Sequence, residues 1–229
     1  SLLCSPAGQS MVSRGTQYRR GGCFMCGRFV LITDLSVIAE EFEVHDMSVH
    51  FSPSHTVSPG QHIPALIRQD NQNMMVTYLW GLIPSWAKDP SIGANLFNAR
   101  AETVAEKPSF KNAFLHRRCL IPADGFYEWK MEGKKKIPYS FSLKTGVPFV
   151  FAGLHEKWIA PDKKTVETCT IITTQANGVV EPIHDRMPVI VPKESQTLWL
   201  ETQNNDVSKL QDVLKPYPAD EMICKSTTF

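Results

Sequence analysis

The sequence predicts a single α+β domain built on a closed or strongly curved, mainly antiparallel β core with a few short helices. Three observations predict it. Short apolar stretches of strand character recur along the chain without the βαβ alternation of a parallel sheet. The amphipathic helical stretches between them are few and short. From Met25 onward no linker, low-complexity tract or internal repeat divides the 229 residues into separate units.

Taken in order, residues 1–24 are rich in Ser, Gly, Arg and Gln and show no periodicity. They are expected to be a disordered leader or an extension foreign to the mature protein, with the ordered domain spanning 25–229. Arg28 to Ile32 reads as a strand. Thr33 or Asp34 can cap a helix running to Glu43, because Leu35, Ile38, Ala39 and Phe42 recur at helical spacing on one face. A loop with Pro53 and Pro59 follows. Ile63–Arg68 and Met75–Trp80 flank the polar stretch Gln69–Asn73, which is a hairpin signal. After a loop with Pro84, Pro90 and Gly93, Ser109–His116 predicts a short helix. Cys119–Ile121, Gly125–Trp129, Tyr139–Leu143, Val150–Leu154 and Thr168–Thr174 predict strands. Helices over Ser195–Leu200 and Val207–Leu214 and a strand near Met222–Cys224 close the domain.

Composition narrows the function classes. With 42% hydrophobic and 21% charged residues the chain is an ordinary globular protein, not a disordered, collagenous or disulfide-framework one. No apolar stretch approaches the roughly 20 residues of a membrane span, and the opening segment lacks a signal peptide's apolar core. The expectation is an intracellular protein with no membrane contact, in the cytoplasm or nucleoid of a bacterium or the nucleus of a eukaryote. Net charge is +1, but Arg14, Arg19 and Arg20 stand in the acid-free leader, so the remainder is slightly acidic. Any nucleic-acid contact must therefore use a local cluster of cations. The cysteines Cys4, Cys23, Cys26, Cys119, Cys169 and Cys224 lack disulfide-framework spacing and read as reduced thiols.

Cys23 and Cys26 form a C-x-x-C within GGCFMCGRFV. A structural zinc site needs about four ligands, yet no second C-x-x-C or His-x-x-x-His pair follows. His45, His50 and His55 lie five residues apart in a proline-bearing loop. A thioredoxin-like dithiol would open a helix after a strand, whereas Gly27 and a strand follow here. No metal and no cofactor is expected. If translation starts at Met25 and that methionine is removed, Cys26 becomes an N-terminal 1,2-aminothiol. An α-amine of pKa about 7.7–8.0 is partly neutral at physiological pH. It can condense with an aldehyde to an imine, which the thiol closes to a thiazolidine. The plain alternative is a small buried apolar residue.

Three further stretches bear on that choice. Asn98 and Arg100 in NARAET, and His184 and Arg186 in HDRMP, each stand two apart, so both side chains face one way on an extended segment. Such a pair suits a reactive centre beside a phosphate held by Arg. Glu128 in GFYEW lies among Phe126, Tyr127 and Trp129, where apolar surroundings raise a carboxyl pKa toward neutrality. Each also has a structural reading: Asn98 as a turn residue, Glu128 with Arg118 as a cross-strand ion pair, His184 as a hydrogen-bonded loop histidine.

Together, MCGRF (25–29), WGLIPSW (80–86), NARAET (98–103), RRCLIPADGFYEW (117–129) and HDRMP (184–188) resemble the SOS-response-associated peptidase (SRAP) family, in order, from residue 25 to about 224. The resemblance implies one compact α+β domain with a barrel-like core, acting on single-stranded DNA in the DNA damage response. It implies covalent linkage to abasic sites through the N-terminal cysteine, with thiol autopeptidase and lyase activities attached to the family. Carried over, Cys26 is the nucleophile, Asn98 holds its backbone or the sugar, and Glu128 is the acid/base near the α-amine. His184 promotes ring opening and reversal of the imine. Arg28, Arg100 and Arg186 grip phosphates, and Pro59 and Trp80 support or wedge the bases. The partner is single-stranded DNA containing abasic sites, and the protein acts as a monomer. The absence of a clamp-binding or zinc-finger tail suggests a minimal, bacterial-type member.

As written, Cys26 follows Met25 in the chain, so its nitrogen is an amide and not an amine. Two other readings stand beside abasic-site capture. One is a cysteine peptidase with Cys26, His184 and Asn98 as nucleophile, base and orienter. The other is a passive single-strand binder with a structural Cys26.

Overall fold

The computed structural model describes residues 26–44 and 48–228. The expected leader 1–24, with Cys4 and Cys23, lies outside the described residues, as do Met25 and His45.

The chain makes two sheets. Strands β3 (His62–Gln69), β4 (Gln72–Trp80), β6 (Arg118–Ala123), β9 (Phe149–Ile159) and β10 (Thr165–Gln175) pair in the cyclic order β10-β4-β3-β6-β9-β10, which closes a five-stranded barrel. All its pairings are antiparallel except β4 with β10. The barrel is mainly antiparallel, as expected, and its parallel β4–β10 pairing decides where the site forms. After Trp80 the chain leaves the barrel and makes a 3-10 helix over Pro90–Asn95. It then returns as β5 (Asn98–Arg100), again parallel to β10, further along the same edge. On the opposite side, β11 (Arg186–Pro188) pairs with the last residues of β10. The end of β10 thus lies between two three-residue strands, one carrying Asn98 and Arg100 and the other Arg186. Strands this short carry no alternation for a sequence to reveal.

The excursion turns tightly because Gly81 and Gly93 touch. A Cβ on either would meet the other's carbonyl oxygen at 2.8 Å, and Gly81 also sits at φ 144°.

The second sheet has the order β12-β8-β7-β1-β2, from β1 (Phe29–Leu31), β2 (Ser54–Val57), β7 (Gly125–Glu132), β8 (Lys135–Leu143) and β12 (Met222–Ser226). Asp124 alone separates β6 from β7, and it joins the sheets by accepting from Ile32 N at 2.6 Å and Thr33 N at 2.9 Å. Phe29 is buried between the sheets, its ring 5.3 Å from Trp80 and 5.8 Å edge-on from Phe151. Aromatic pairs of this kind contribute about 0.5–1.5 kcal/mol each beyond burial. They fix β1, and with it Cys26, against the barrel.

The helices are α1 (Leu35–Glu41), capped by Asp34 as expected, α2 (Lys111–His116), α3 (Lys193–Leu200) and α4 (Val207–Val213). None is long and apolar enough to cross a membrane. Arg118 does not pair with Glu128. It is fully buried and donates to five carbonyls: Phe114, Leu115, Trp199, Glu201 and Asn204. Those carbonyls belong to the ends of α2 and α3 and the loop beyond, where backbone acceptors lack helical donors and the helix dipole favours a cation. Arg118→Met strands them in the core. It is expected to lower unfolding free energy by about 3–5 kcal/mol, at roughly 1 kcal/mol per abandoned acceptor, read from the urea midpoint. A change under about 1 kcal/mol would mean that the carbonyls find other donors.

Candidate active site

Strand register delivers Cys26 to Glu128. In the β1–β7 pair Phe29 stands opposite Phe126, and Arg28 O accepts from Tyr127 N at 3.0 Å. Continuing the ladder backward sets Gly27 opposite Glu128 and Cys26 one residue beyond, within reach of the Glu128 side chain. Its backbone nitrogen donates to Glu128 Oε1 at 2.7 Å, deep in the protein, with Cys26 4% and Glu128 1% exposed. From the other side, Asn98 on β5 donates from Nδ2 to Cys26 O at 3.3 Å. These contacts clamp Cys26 at φ 27°, a conformation that costs a non-glycine residue about 1–2 kcal/mol.

The third wall is the turn into β11. The Cys26 thiol faces Arg186 O, with Sγ 3.9 Å away. Nδ1 of His184 lies 3.0 Å from Arg186 N and 3.2 Å from Arg186 O, accepting from the first or donating to the second according to its tautomer. In the charged ring Nδ1 becomes a donor, and Asp185 Oδ1 stands 3.3 Å from it. One backbone unit thus touches both the thiol and the histidine.

The electrostatics divide the two ends of Cys26. Burial pushes the Glu128 carboxyl up to about 7, against the opposing pull of the His184 charge and the hydrogen bond from Cys26. Burial, then the charge of Glu128 and its hydrogen bond to the sulfur, push the Cys26 thiol well above its ordinary range. The sulfur is held protonated, the reverse of the activated thiolate of a cysteine peptidase. The nitrogen faces a carboxyl that exchanges its proton near neutrality.

Two clefts are lined by chain neighbours of these residues, one by Gly27 and Trp129 and the other by Asp185 and Arg186. One, of about 430 Å³, is lined by Gly27, Arg28, Ser58, Pro59, Phe97, Trp129 and Lys136, with the Arg28 guanidinium 5.5 Å over the Trp129 ring. The other, of about 360 Å³, carries Arg100 and Arg186 but also Glu181 and Asp185. Among the described residues no group of three or more His, Cys, Asp and Glu is arranged to hold a metal.

The structure therefore brings Cys26, Asn98, Glu128 and His184 together, and puts Arg28 and Pro59 on one cleft and Arg100 on the other. Two residues differ from the sequence expectation. Trp80 is 1% exposed and donates from Nε1 to Phe97 O at 2.8 Å, so it has no face on which a base can stack. It supports from beneath, holding Phe97 at the cleft. Arg186 is 6% exposed, its guanidinium doubly paired with Glu102 and donating to Thr173 O at 2.7 Å. It can reach a phosphate only by giving up the Glu102 contact. Sequence reasoning missed Glu102, although it continues the two-residue spacing of Asn98 and Arg100. It also missed Lys136, which lies far from Trp129 along the chain until the hairpin folds.

The profile of the SOS response associated peptidase (SRAP) family matches residues 25–228. The abasic site processing protein YoqW of Bacillus subtilis is 47% identical over 201 residues, covering 86% of this chain and 90% of the relative. The abasic site processing protein YedK of Escherichia coli is 30% identical over 184 residues, covering 77% and 79%. The crystal structure of a protein from Bacteroides thetaiotaomicron superposes with a TM-score of 0.81 at 27% identity, covering 89% of this chain and 92% of that one.

Proposed function

The chain belongs to the SOS response associated peptidase family, and from that premise we propose that it captures abasic sites in single-stranded DNA as a covalent adduct on Cys26. The observation that carries this reading is the 2.7 Å contact between the Cys26 nitrogen and the buried Glu128 carboxylate. A cysteine peptidase needs an activated thiolate, whereas here the carboxyl that accepts from the nitrogen also reaches the sulfur and, with burial, holds the thiol neutral.

The reaction needs the Met25–Cys26 bond open, so that the nitrogen is an amine. Glu128 takes a proton from the α-ammonium, and the amine adds to the aldehyde carbon of the open-chain sugar. Loss of water gives the imine. The Cys26 sulfur then adds to the imine carbon, its proton passing to nitrogen, and the five-membered thiazolidine closes with no oxidant or other reactant. Most of an abasic sugar is a closed hemiacetal. His184 Nε2 is the group that would exchange protons with the ring oxygen on opening and on reversal. Arg28 and Arg100 would hold the flanking phosphates, and Trp129 and Pro59 offer bases a surface in the cleft. All these groups come from one chain, so a monomer suffices.

The test uses two forms, one beginning at Ser1 and retaining Met25, the other initiated at Met25 and trimmed to Cys26. Each is incubated with single-stranded DNA carrying one abasic site and run on a denaturing gel. A retarded, heat-stable band for the trimmed form alone is expected. Equal binding by both without such a band would favour the passive binder. Peptide turnover by the Ser1 form would favour the peptidase.

A further inference from the structure

The two clefts beside the site are electrostatically unlike. The Arg100 and Arg186 cleft includes the carboxylates of Glu181 and Asp185, whereas the Arg28 and Trp129 cleft is lined by two cations and no acid. A polyanion leaving the centre is favoured along the second. That cleft runs onto a projecting hairpin. Strands β7 and β8 pair with Trp129 opposite Pro138, Met131 opposite Lys136 and Glu132 opposite Lys135, and turn at Gly133 and Lys134. Cross-strand partners and alternate residues share a face. Trp129, Met131, Lys136 and Pro138 therefore form one face, continuous with the cleft, while Lys130, Glu132, Lys135 and Ile137 form the other. Residues 131–136 are all exposed, and Met131 is 58% exposed.

The geometry points to the β7–β8 hairpin as a second nucleic-acid contact: a track along the face of Trp129, Met131 and Lys136, ending at Lys134, that holds the strand on one side of the lesion. This rests on the proposed function for the lesion itself, but the track would bind undamaged single-stranded DNA equally. From Trp129 to the turn the strand rises about 13 Å, or on the order of three to four phosphates at the roughly 3.4 Å spacing of a stacked strand. Apolar and aromatic surface with interleaved cations is what sequence-tolerant single-strand binding uses. Lys136 supplies the cation of this face and Lys134 the one at its tip, whereas Lys130 and Lys135 lie with Glu132 on the back.

The experiment compares two double variants of the full chain that remove the same charge from opposite faces. Lys134→Ser/Lys136→Ser alters the track, and Lys130→Ser/Lys135→Ser alters its back. Binding of undamaged single strands is measured across salt concentrations. The track variant is expected to bind about tenfold more weakly at low salt, with a log–log salt slope shallower by about 1.4 for two lost contacts, while the back variant stays close to wild type. Equal losses in both variants, or none in either, overturn the track. A second arm uses abasic oligonucleotides with a long arm on only the 5′ or only the 3′ side. The track variant should lose affinity for one of them, and equal affinity changes for both would overturn the one-sided assignment. Failure of abasic capture appears separately, as absence of the denaturing-gel band with the trimmed wild-type protein.

Discussion

A trimmed chain carrying Cys26→Ala is expected to lose the heat-stable DNA adduct entirely while still forming an imine that borohydride can fix. Two bonds are at stake. The imine uses the α-amine, which alanine keeps, in the position where the Cys26 nitrogen meets Glu128 at 2.7 Å. The thiazolidine uses the sulfur, which alanine lacks. Without ring closure the imine stays in equilibrium with free aldehyde and hydrolyses when the protein is denatured. While it lasts, its electron demand acidifies the neighbouring sugar carbon, so strand cleavage by β-elimination should rise. The expected pattern is therefore no band after heating, a band after reduction, and more cleaved strand than wild type. An undiminished heat-stable band would remove Cys26 from the mechanism. Absence of the borohydride-fixed band would place the first bond elsewhere than on the amine. The same variant separates the readings the sequence left open, because a peptidase loses everything with its sulfur and a passive binder loses nothing.

The fold and the site differ in how much of each was legible in the sequence. The long strands and α1 were legible, because Leu35, Ile38, Ala39 and Phe42 keep helical spacing and are all buried, and the β3–β4 hairpin carries its own polar turn. The strands β5 and β11 were not, since three residues cannot show a period, and both take their conformation from β10. The parallel pairing of β4 with β10 joins residues far apart in the chain and leaves no local trace. At the site, residue chemistry was legible and exposure was not. Asn98, Glu128 and His184 stand around Cys26 because their motifs flank the same barrel end. Trp80 and Arg186 look like surface groups in a string of letters. Burial against Phe29 and pairing with Glu102 are long-range facts that give them supporting positions.

Glu128→Gln is expected to slow adduct formation by about 10²–10⁴-fold in the trimmed chain while making the untrimmed chain more stable in mild alkali. The sign follows from linkage. In the folded chain beginning at Ser1, burial raises the Glu128 carboxyl from its ordinary 4.5 to about 7. Below about pH 4.5 both folded and unfolded chains hold the proton. Between about 4.5 and 7 the unfolded chain has released it and the folded chain has not, so stability falls as pH rises through this window and levels off above it. The difference corresponds to on the order of 3 kcal/mol by pH 8. Glutamine keeps an oxygen for the Cys26 N–H and carries no charge to desolvate, so urea midpoints of variant and wild type should agree near pH 4 and separate by pH 8, the variant higher. In the trimmed chain the Cys26 ammonium stands against the same carboxyl, and the two titrate as a pair. The pH–rate profile of adduct formation should therefore keep an acid limb in Glu128→Gln, set by the α-amine alone and displaced from the wild-type limb that the pair sets. A variant that cross-links at the wild-type rate would make Glu128 a structural acceptor. Equal midpoints at pH 8 would mean that the carboxyl is not held against its charge, and the cost of burying a near-neutral acid beside Cys26 would vanish with it.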